Sequence, residues 1–212
     1  MSEFRPIASG VWENGAEWSA YYTSSSHTPE LLRQKPKLCT AAGVVVLIDM
    51  DLDLPLIPLT MKDEGRDGKP PQWELASGKT DELTDGSRET PPVTAARECM
   101  EELGIEVELT VEDEYACREI HNPPTQKLFP PISFMRYFKK RLVWQHLRRL
   151  VPREAKHTAQ IMSLERIGNL ARQKPPVVSA SEAKIIGAAC IADGYPEQAV
   201  LAALGPLPEK DR

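Results

Sequence analysis

The sequence predicts an α/β (α+β) fold, in which short strands alternate with a few helices. Three observations predict it. Residues 41–48 form a continuous apolar run rich in β-branched side chains and bounded by Asp49 and Asp51, the pattern of a buried strand. Residues 90–104 carry a helical period between a start signal and a stop signal. Further strand-like runs and a second capped helix follow it. A length of 212 residues suits one domain with additions, and 41% hydrophobic content is enough for a substantial core.

Charge and cysteine usage narrow the function. A net charge of −5 argues against general nucleic-acid binding, which needs a basic surface, while leaving room for a local basic pocket. Cys39, Cys99, Cys117 and Cys190 lie far apart without a C-x-x-C pair, so they read as reduced, buried thiols. No apolar segment follows a basic start, and none approaches the eighteen or so residues needed to cross a bilayer. The expectation is a cytoplasmic protein with no membrane contact.

In chain order, residues 1–37 form an arm with Trp12, Trp18, Tyr21 and Tyr22, a Ser/Thr-rich patch and a basic stretch at 31–37. Asn14-Gly15 suits a hairpin with a type I′ turn. The arm packs on its own domain or on the second copy in a homodimer. The domain proper is expected at 38–205. A second strand at 54–61 contains Pro55 and Pro58, which points to an edge or a bulge. Residues 62–71 form a charged loop rich in Gly and Pro, and Trp73-Glu74-Leu75 leads to the helix. Strands are expected at 107–110, 115–120 and 132–143, with a Pro-rich loop at 121–131. The last helix is expected at 181–192 with a Ser cap and a stop near Gly194, and the tail at 206–212 is expected to fray.

The helix at 90–104 carries the chemistry. Thr90 suits the N-cap, Pro91 and Pro92 suit the first turn, and Gly104 supplies a left-handed stop. Ala95, Ala96, Cys99, Met100 and Leu103 share one face, and Glu98, Glu101 and Glu102 share the opposite one. Three acids at i, i+3 and i+4 repel one another, and two lie near the negative end of the helix dipole. A hard cation such as Mg²⁺, which takes oxygen ligands, removes that conflict. From these residues alone, a metal site and a solvated acidic face both stand.

Glu89, seven residues, then Arg97-Glu98-Cys99-Met100-Glu101-Glu102-Leu103-Gly104-Ile105 resembles the signature of the Nudix hydrolases from its first glutamate onward. The segment Trp73-Glu74-Leu75-Ala76-Ser77-Gly78-Lys79 resembles the family's approach to that motif. It departs in spacing, with ten residues between Gly78 and Glu89 where the family pattern has five. The extra residues are polar and include Asp85-Gly86, a turn signal.

The resemblance implies an α/β/α sandwich with a mixed central sheet, and Mg²⁺, or Mn²⁺ in its place. Glu98, Glu101 and Glu102 would be metal ligands, with Glu89 a ligand or supporting partner and the Gly78 carbonyl a further ligand. Glu98 or Glu102 would assist the water, and Arg97 would orient the glutamates; without a metal, Arg97 is an ordinary i,i+4 partner of Glu101. Glu154 and Glu182 are the late candidates for the general base. Gln160 stands where some triphosphate-cleaving members carry a ligand glutamate. Trp73, Phe134, Tyr137 and Phe138 could stack on a base or fill the core. Arg136, Lys139, Lys140 and Arg141 could meet phosphates or solubilise a strand. His121, His146 and His157 share no metal spacing and read as surface residues. Pro123-Pro124 hints weakly at an ADP-ribose-type substrate. The implied activity is hydrolysis of a pyrophosphate bond in a nucleoside diphosphate linked to another moiety, of ADP-ribose or nucleotide-sugar type. The alternatives are a nucleoside triphosphate pyrophosphohydrolase and a non-catalytic nucleotide-binding module.

Overall fold

The computed structural model describes residues 6–12, 14–23, 32, 34–62, 70–125, 130–146 and 150–209. The strands are β1 (Pro6–Val11), β2 (Glu17–Tyr22), β3 (Cys39–Asp49), β4 (Leu56–Lys62), β5 (Trp73–Glu74), β6 (Ala76–Lys79), β7 (Glu114–His121), β8 (Ile132–Val143) and β9 (His157–Ser163). The helices are α1 (Pro91–Leu103), α2 (Leu164–Ala171), α3 (Ala180–Ala192) and α4 (Glu197–Leu204). Among the described residues no helix is long and apolar enough to cross a membrane.

These strands join one sheet in the order β1-β2-β7-β8-β3-β4-β5, with β6 paired to β3 and β9 to β4. Strands β3 and β8 run parallel from Cys39 beside Phe134 to Asp49 beside Val143, whereas β7 and β8 run antiparallel, so the sheet is mixed. The apolar run of β3 is continuous because both faces are covered. Val44, Val46 and Ile48 pack with Ala95, Cys99 and Leu103 of α1. Val45 and Leu47 pack on the other face with Ile167, Ala183, Ile186, Val200 and Leu204 from α2, α3 and α4. Each fully buried Val, Leu or Ile contributes roughly 1.5–3 kcal/mol, so this two-sided strand is a large share of the core.

The arm enters the same sheet. A hairpin at Asn14-Gly15 joins β1 to β2, but its turn is not the expected type I′, because Gly15 is at φ 80 while Asn14 is not at positive φ; the Asn14 side chain instead accepts a hydrogen bond from the Ala16 N–H at 3.0 Å. Strand β2 then pairs with β7 from Glu17 beside His121 to Tyr22 beside Ala116. Trp18 is buried in the main core, so the described part of the arm is a packing extension of its own domain. The Ser/Thr patch at 24–31 lies outside the described residues.

Four expectations need correction. Residues 107–110 form no strand: Val107 and Leu109 pack toward α1 while Glu106 and Glu108 face solvent, so the alternation is real but has no ladder partner. Strand β4 is interior, pairing with β9 from Leu56 to Lys62 on one side. On its other side it meets β3 only at Leu56 and β5 only at Thr60 and Met61, so Pro58 falls in the gap between those ladders. The cap of α3 is Ser179, whose hydroxyl accepts from the Glu182 N–H at 3.0 Å. Finally, α4 follows Pro196 and buries Val200 and Leu204, and Leu207 beyond it packs on the core, so the chain is docked as far as Leu207 where fraying is expected, while 210–212 lie outside the described residues.

Candidate active site

Helix α1 forms as its signals dictate. Pro91 and Pro92 open it, and Gly104 closes it at φ 71, donating its N–H to the Met100 carbonyl at 3.0 Å. The following loop seals the same end, because the N–H groups of Arg153 and Glu154 donate to the Glu101 carbonyl at 2.9 and 3.2 Å. Those bonds satisfy a helix-end acceptor that would otherwise lack a partner.

Arg97 is the hub of the acid cluster. Its Nη1 donates to Glu98 Oε1 at 2.8 Å and to Glu101 Oε2 at 2.9 Å. Its Nε donates to Glu89 Oε1 at 3.1 Å, and its Nη2 donates to Glu89 Oε2 at 3.1 Å and to the Lys79 carbonyl at 3.0 Å. These bonds to three carboxylates fix both ends of a fork-shaped cation, which is a geometry Lys could not supply. Hydrogen bonding to Glu89 is the leading cause that raises the pKa of Arg97. Burial works to raise the pKa of Glu89, but bonds from Arg97, Thr94 and the Asp81 N–H outweigh it and hold the carboxyl below its usual range.

The remaining two acids are held differently. Burial raises the pKa of Glu98 against the opposing charge of Arg97, and Glu101 and Glu154 add to the rise. Glu102 is not on an exposed face as its helical position suggests: it is 4% exposed, and its Oε2 accepts from the Ser77 N–H at 3.1 Å. Burial pushes its pKa up to about 7, with the Ser77 bond and Lys62 opposing. Lys62 Nζ stands 3.8 Å from Glu102 Oε1 and His157 Nε2 stands 3.5 Å from it. His157 is therefore a buried member of the cluster and not a surface residue, and its Nδ1 lies 3.2 Å from Glu154. Nothing local in the sequence marks it, since β9 and the loop before it bring it to α1 only in the fold.

Gly78 lies on β6 beside Ala42 of β3. A Cβ there would sit 2.0 Å from Glu98 Oε1, so only glycine admits the carboxylate. The extra residues before Glu89 do not displace it. They fold into a small hairpin, with an antiparallel bridge between Glu82 and Arg88, Gly86 at φ 79, and the Glu89 N–H donating to the Asp81 carbonyl at 2.9 Å. The chain thus leaves and re-enters at Asp81 and Glu89, and the carboxylate of Glu89 meets Arg97 despite the added length.

The residues fit a hard divalent cation by donor chemistry. Glu98 and Glu101 converge on one nitrogen, Glu102 and the Gly78 backbone border them, and burial leaves Glu98 and Glu102 short of compensating charge. Among the described residues no three acid, His or Cys groups already converge at ligand geometry, because Arg97 draws two of the acids onto itself.

Several side chains that the sequence offers as substrate contacts or as the general base fall elsewhere. Phe134, Tyr137 and Phe138 are fully buried, so they fill the core and cannot stack on a base. Arg136 pairs with the buried Glu114, Lys139 and Arg141 pair with Asp193, and Lys140 lies 4.0 Å from Asp113. Glu182 accepts from the Leu75 N–H at 2.7 Å and positions β5 and β6 from α3. Trp73 is half-buried, and its backbone N–H donates to the Val177 carbonyl at 2.8 Å. Gln160 Oε1 accepts from Arg166 at 3.4 Å, and its neighbours Ala159 and Ile161 are the β9 residues that pack toward α1. His121 is exposed beside Glu119.

Comparison with known proteins accords with this arrangement. A family model described as NUDIX domain matches residues 37–181. No curated protein matches the chain. Among solved structures, a NUDIX hydrolase from Listeria monocytogenes is similar at 15% identity, covering 74% of this chain and 96% of its own, with a TM-score of 0.51. An Ap4A hydrolase from C. elegans in a binary complex has 16% identity, coverage of 72% and 97%, and a TM-score of 0.47. The NUDIX domain of Shewanella oneidensis NrtR with ADP ribose has 13% identity, coverage of 76% and 96%, and a TM-score of 0.48.

Proposed function

The chain belongs to the NUDIX family of hydrolases acting on pyrophosphate bonds, and we propose that it cleaves a nucleoside diphosphate linked to another moiety, of ADP-ribose or nucleotide-sugar type. The observation that carries the proposal is the convergence of Glu98 and Glu101 on Arg97 Nη1, at 2.8 and 2.9 Å, beside a glycine whose Cβ would occupy the Glu98 carboxylate. Glu98, Glu101, Glu102 and the Gly78 carbonyl would hold Mg²⁺ or Mn²⁺. When bound, such a cation neutralises phosphate oxygens and lowers the pKa of a coordinated water.

The chain's own groups supply the rest. Arg97 orients Glu98 and Glu101 and ties them to Glu89. Water adds to phosphorus as the bond to the bridging oxygen breaks, and its proton passes to a carboxylate. Burial raises the pKa of Glu102 and of Glu98 in the metal-free chain, the direction that makes a carboxylate a better proton acceptor, and either would take that proton. Glu154, close enough to raise the pKa of Glu98, is the late acid bordering the cluster, whereas Glu182 is committed to Leu75. The turn of Gln160 toward Arg166 supports a diphosphate over a triphosphate substrate. Four free, buried cysteines accord with a reducing cytoplasm.

A substrate panel tests the proposal: ADP-ribose, nucleotide sugars, dinucleoside polyphosphates and nucleoside triphosphates with Mg²⁺ or Mn²⁺, on wild type and Glu101→Gln. Cleavage of the diphosphate-linked substrates by wild type, with the variant strongly slowed, is expected. Failure to cleave any pyrophosphate bond, or equal rates for both proteins, would overturn it.

A further inference from the structure

A cavity of about 640 Å³ lies against the insertion hairpin. Small-molecule pockets span roughly 300–1,000 Å³, so a nucleotide-sized body fits. The hairpin contributes Glu82 and Arg88 to its walls, the segment before β3 contributes Lys37, and β8 contributes Arg136. Two charged groups on the wall are already committed, Glu89 to Arg97 and Arg136 to Glu114. Lys37 and Arg88 have no ion pair among the described residues, and they face a single uncommitted acid, Glu82. The wall therefore carries an excess of positive charge on an otherwise acidic protein.

The uncharged part of the wall is mainly apolar. Thr80 Oγ1 is buried without a hydrogen-bond partner, and the N-cap Thr90 makes no capping bond with its side chain. The Thr80 hydroxyl is sealed from solvent and takes no part in the cavity's chemistry, whereas the exposed Thr90 hydroxyl is left free for a ligand. Leu32, Cys39 and Pro91 supply apolar surface. Burial pushes the Cys39 thiol up to about 11 against the opposing charges of Arg136 and Arg88, so it stays neutral. Pro91 and Pro92 remove the first two N–H groups of α1, so recognition of an anion there falls to Lys37 and Arg88.

We propose that this cavity, which adjoins the acid cluster at Glu89 but contains none of Glu98, Glu101 and Glu102, is a second binding site for a small phosphomonoester of nucleotide class, with its phosphate on Lys37 and Arg88 and its body against Leu32, Cys39 and Pro91. Binding there needs neither a divalent cation nor turnover. Calorimetric titration with AMP, and separately with inorganic phosphate, in EDTA tests it on the full chain. The expected result is that wild type binds AMP more tightly than phosphate. Combined Lys37→Ala and Arg88→Ala replacement should weaken AMP at least ten-fold, while Glu98→Gln binds AMP as wild type does. Both replaced side chains are exposed, and circular dichroism checks that the double variant folds. Absence of AMP binding to wild type, equal affinity for AMP and phosphate, unchanged binding in the folded double variant, or loss of binding in Glu98→Gln overturns it.

Discussion

Replacing Glu102 with Gln isolates the energetic cost of charge in the acid cluster. The Glu102 side chain is 5% exposed, and burial leads the causes that push its pKa from 4.5 up to about 7. A carboxyl raised in this way holds its proton more tightly in the folded than in the unfolded chain. Its contribution to stability is therefore complete below about 4.5 and is lost as pH rises through about 7. A rise of about 2.5 units corresponds to roughly 3 kcal/mol at about 1.36 kcal/mol per unit. The assay is urea unfolding in EDTA at intervals between pH 5 and 8.5, on wild type and Glu102→Gln. Glutamine still offers an oxygen to the Ser77 N–H, so packing and the main hydrogen bond persist. Wild type should lose about 3 kcal/mol more than the variant across that window, and Mg²⁺ should restore wild type above pH 7. Parallel pH profiles for the two proteins would refute the reasoning.

Three further outcomes are expected. Gly78→Ala places a Cβ 2.0 Å from Glu98 Oε1, so steady-state kinetics should show a loss of about 10²-fold in kcat, the usual cost of misplacing a reacting group by about an ångström. Arg97→Ala releases Glu89, Glu98 and Glu101 together; the rate should fall by a similar factor, and a carbon NMR titration should show the Glu89 pKa rising from its lowered value. Glu114→Gln leaves the largely buried Arg136 without its counter-charge and should cost about 3–5 kcal/mol in chemical unfolding, whereas Glu114→Leu with Arg136→Met should be near neutral.

The acidic helix was legible because its signals are local. Thr90, the two prolines and Gly104 bound it, and the spacing of Arg97, Glu98, Glu101 and Glu102 sets what one face presents. The two-faced burial of β3 was legible from its unbroken apolar run. What depends on partners was not. Residues 107–110 have strand periodicity without a neighbour to pair with, and Pro58 suggests an edge although its strand is interior. Glu102 has the helical position of an exposed acid, but the Ser77 segment and His157 close over it. Phe134, Tyr137 and Phe138 read equally as stacking platforms or core until both faces of β8 are seen to be covered. The insertion hairpin announced itself only as a turn at Asp85-Gly86; that it returns Glu89 to Asp81 is a property of the closed ladder.

The most direct test of the central claim is phosphorus NMR of ADP-ribose incubated with Mg²⁺ and either wild type or Glu98→Gln, both shown to be folded. AMP and ribose 5-phosphate should appear with wild type and form at least about 10²-fold more slowly with the variant. Equal rates of product formation, which would place the chemistry away from the helix that Arg97 organises, would contradict it.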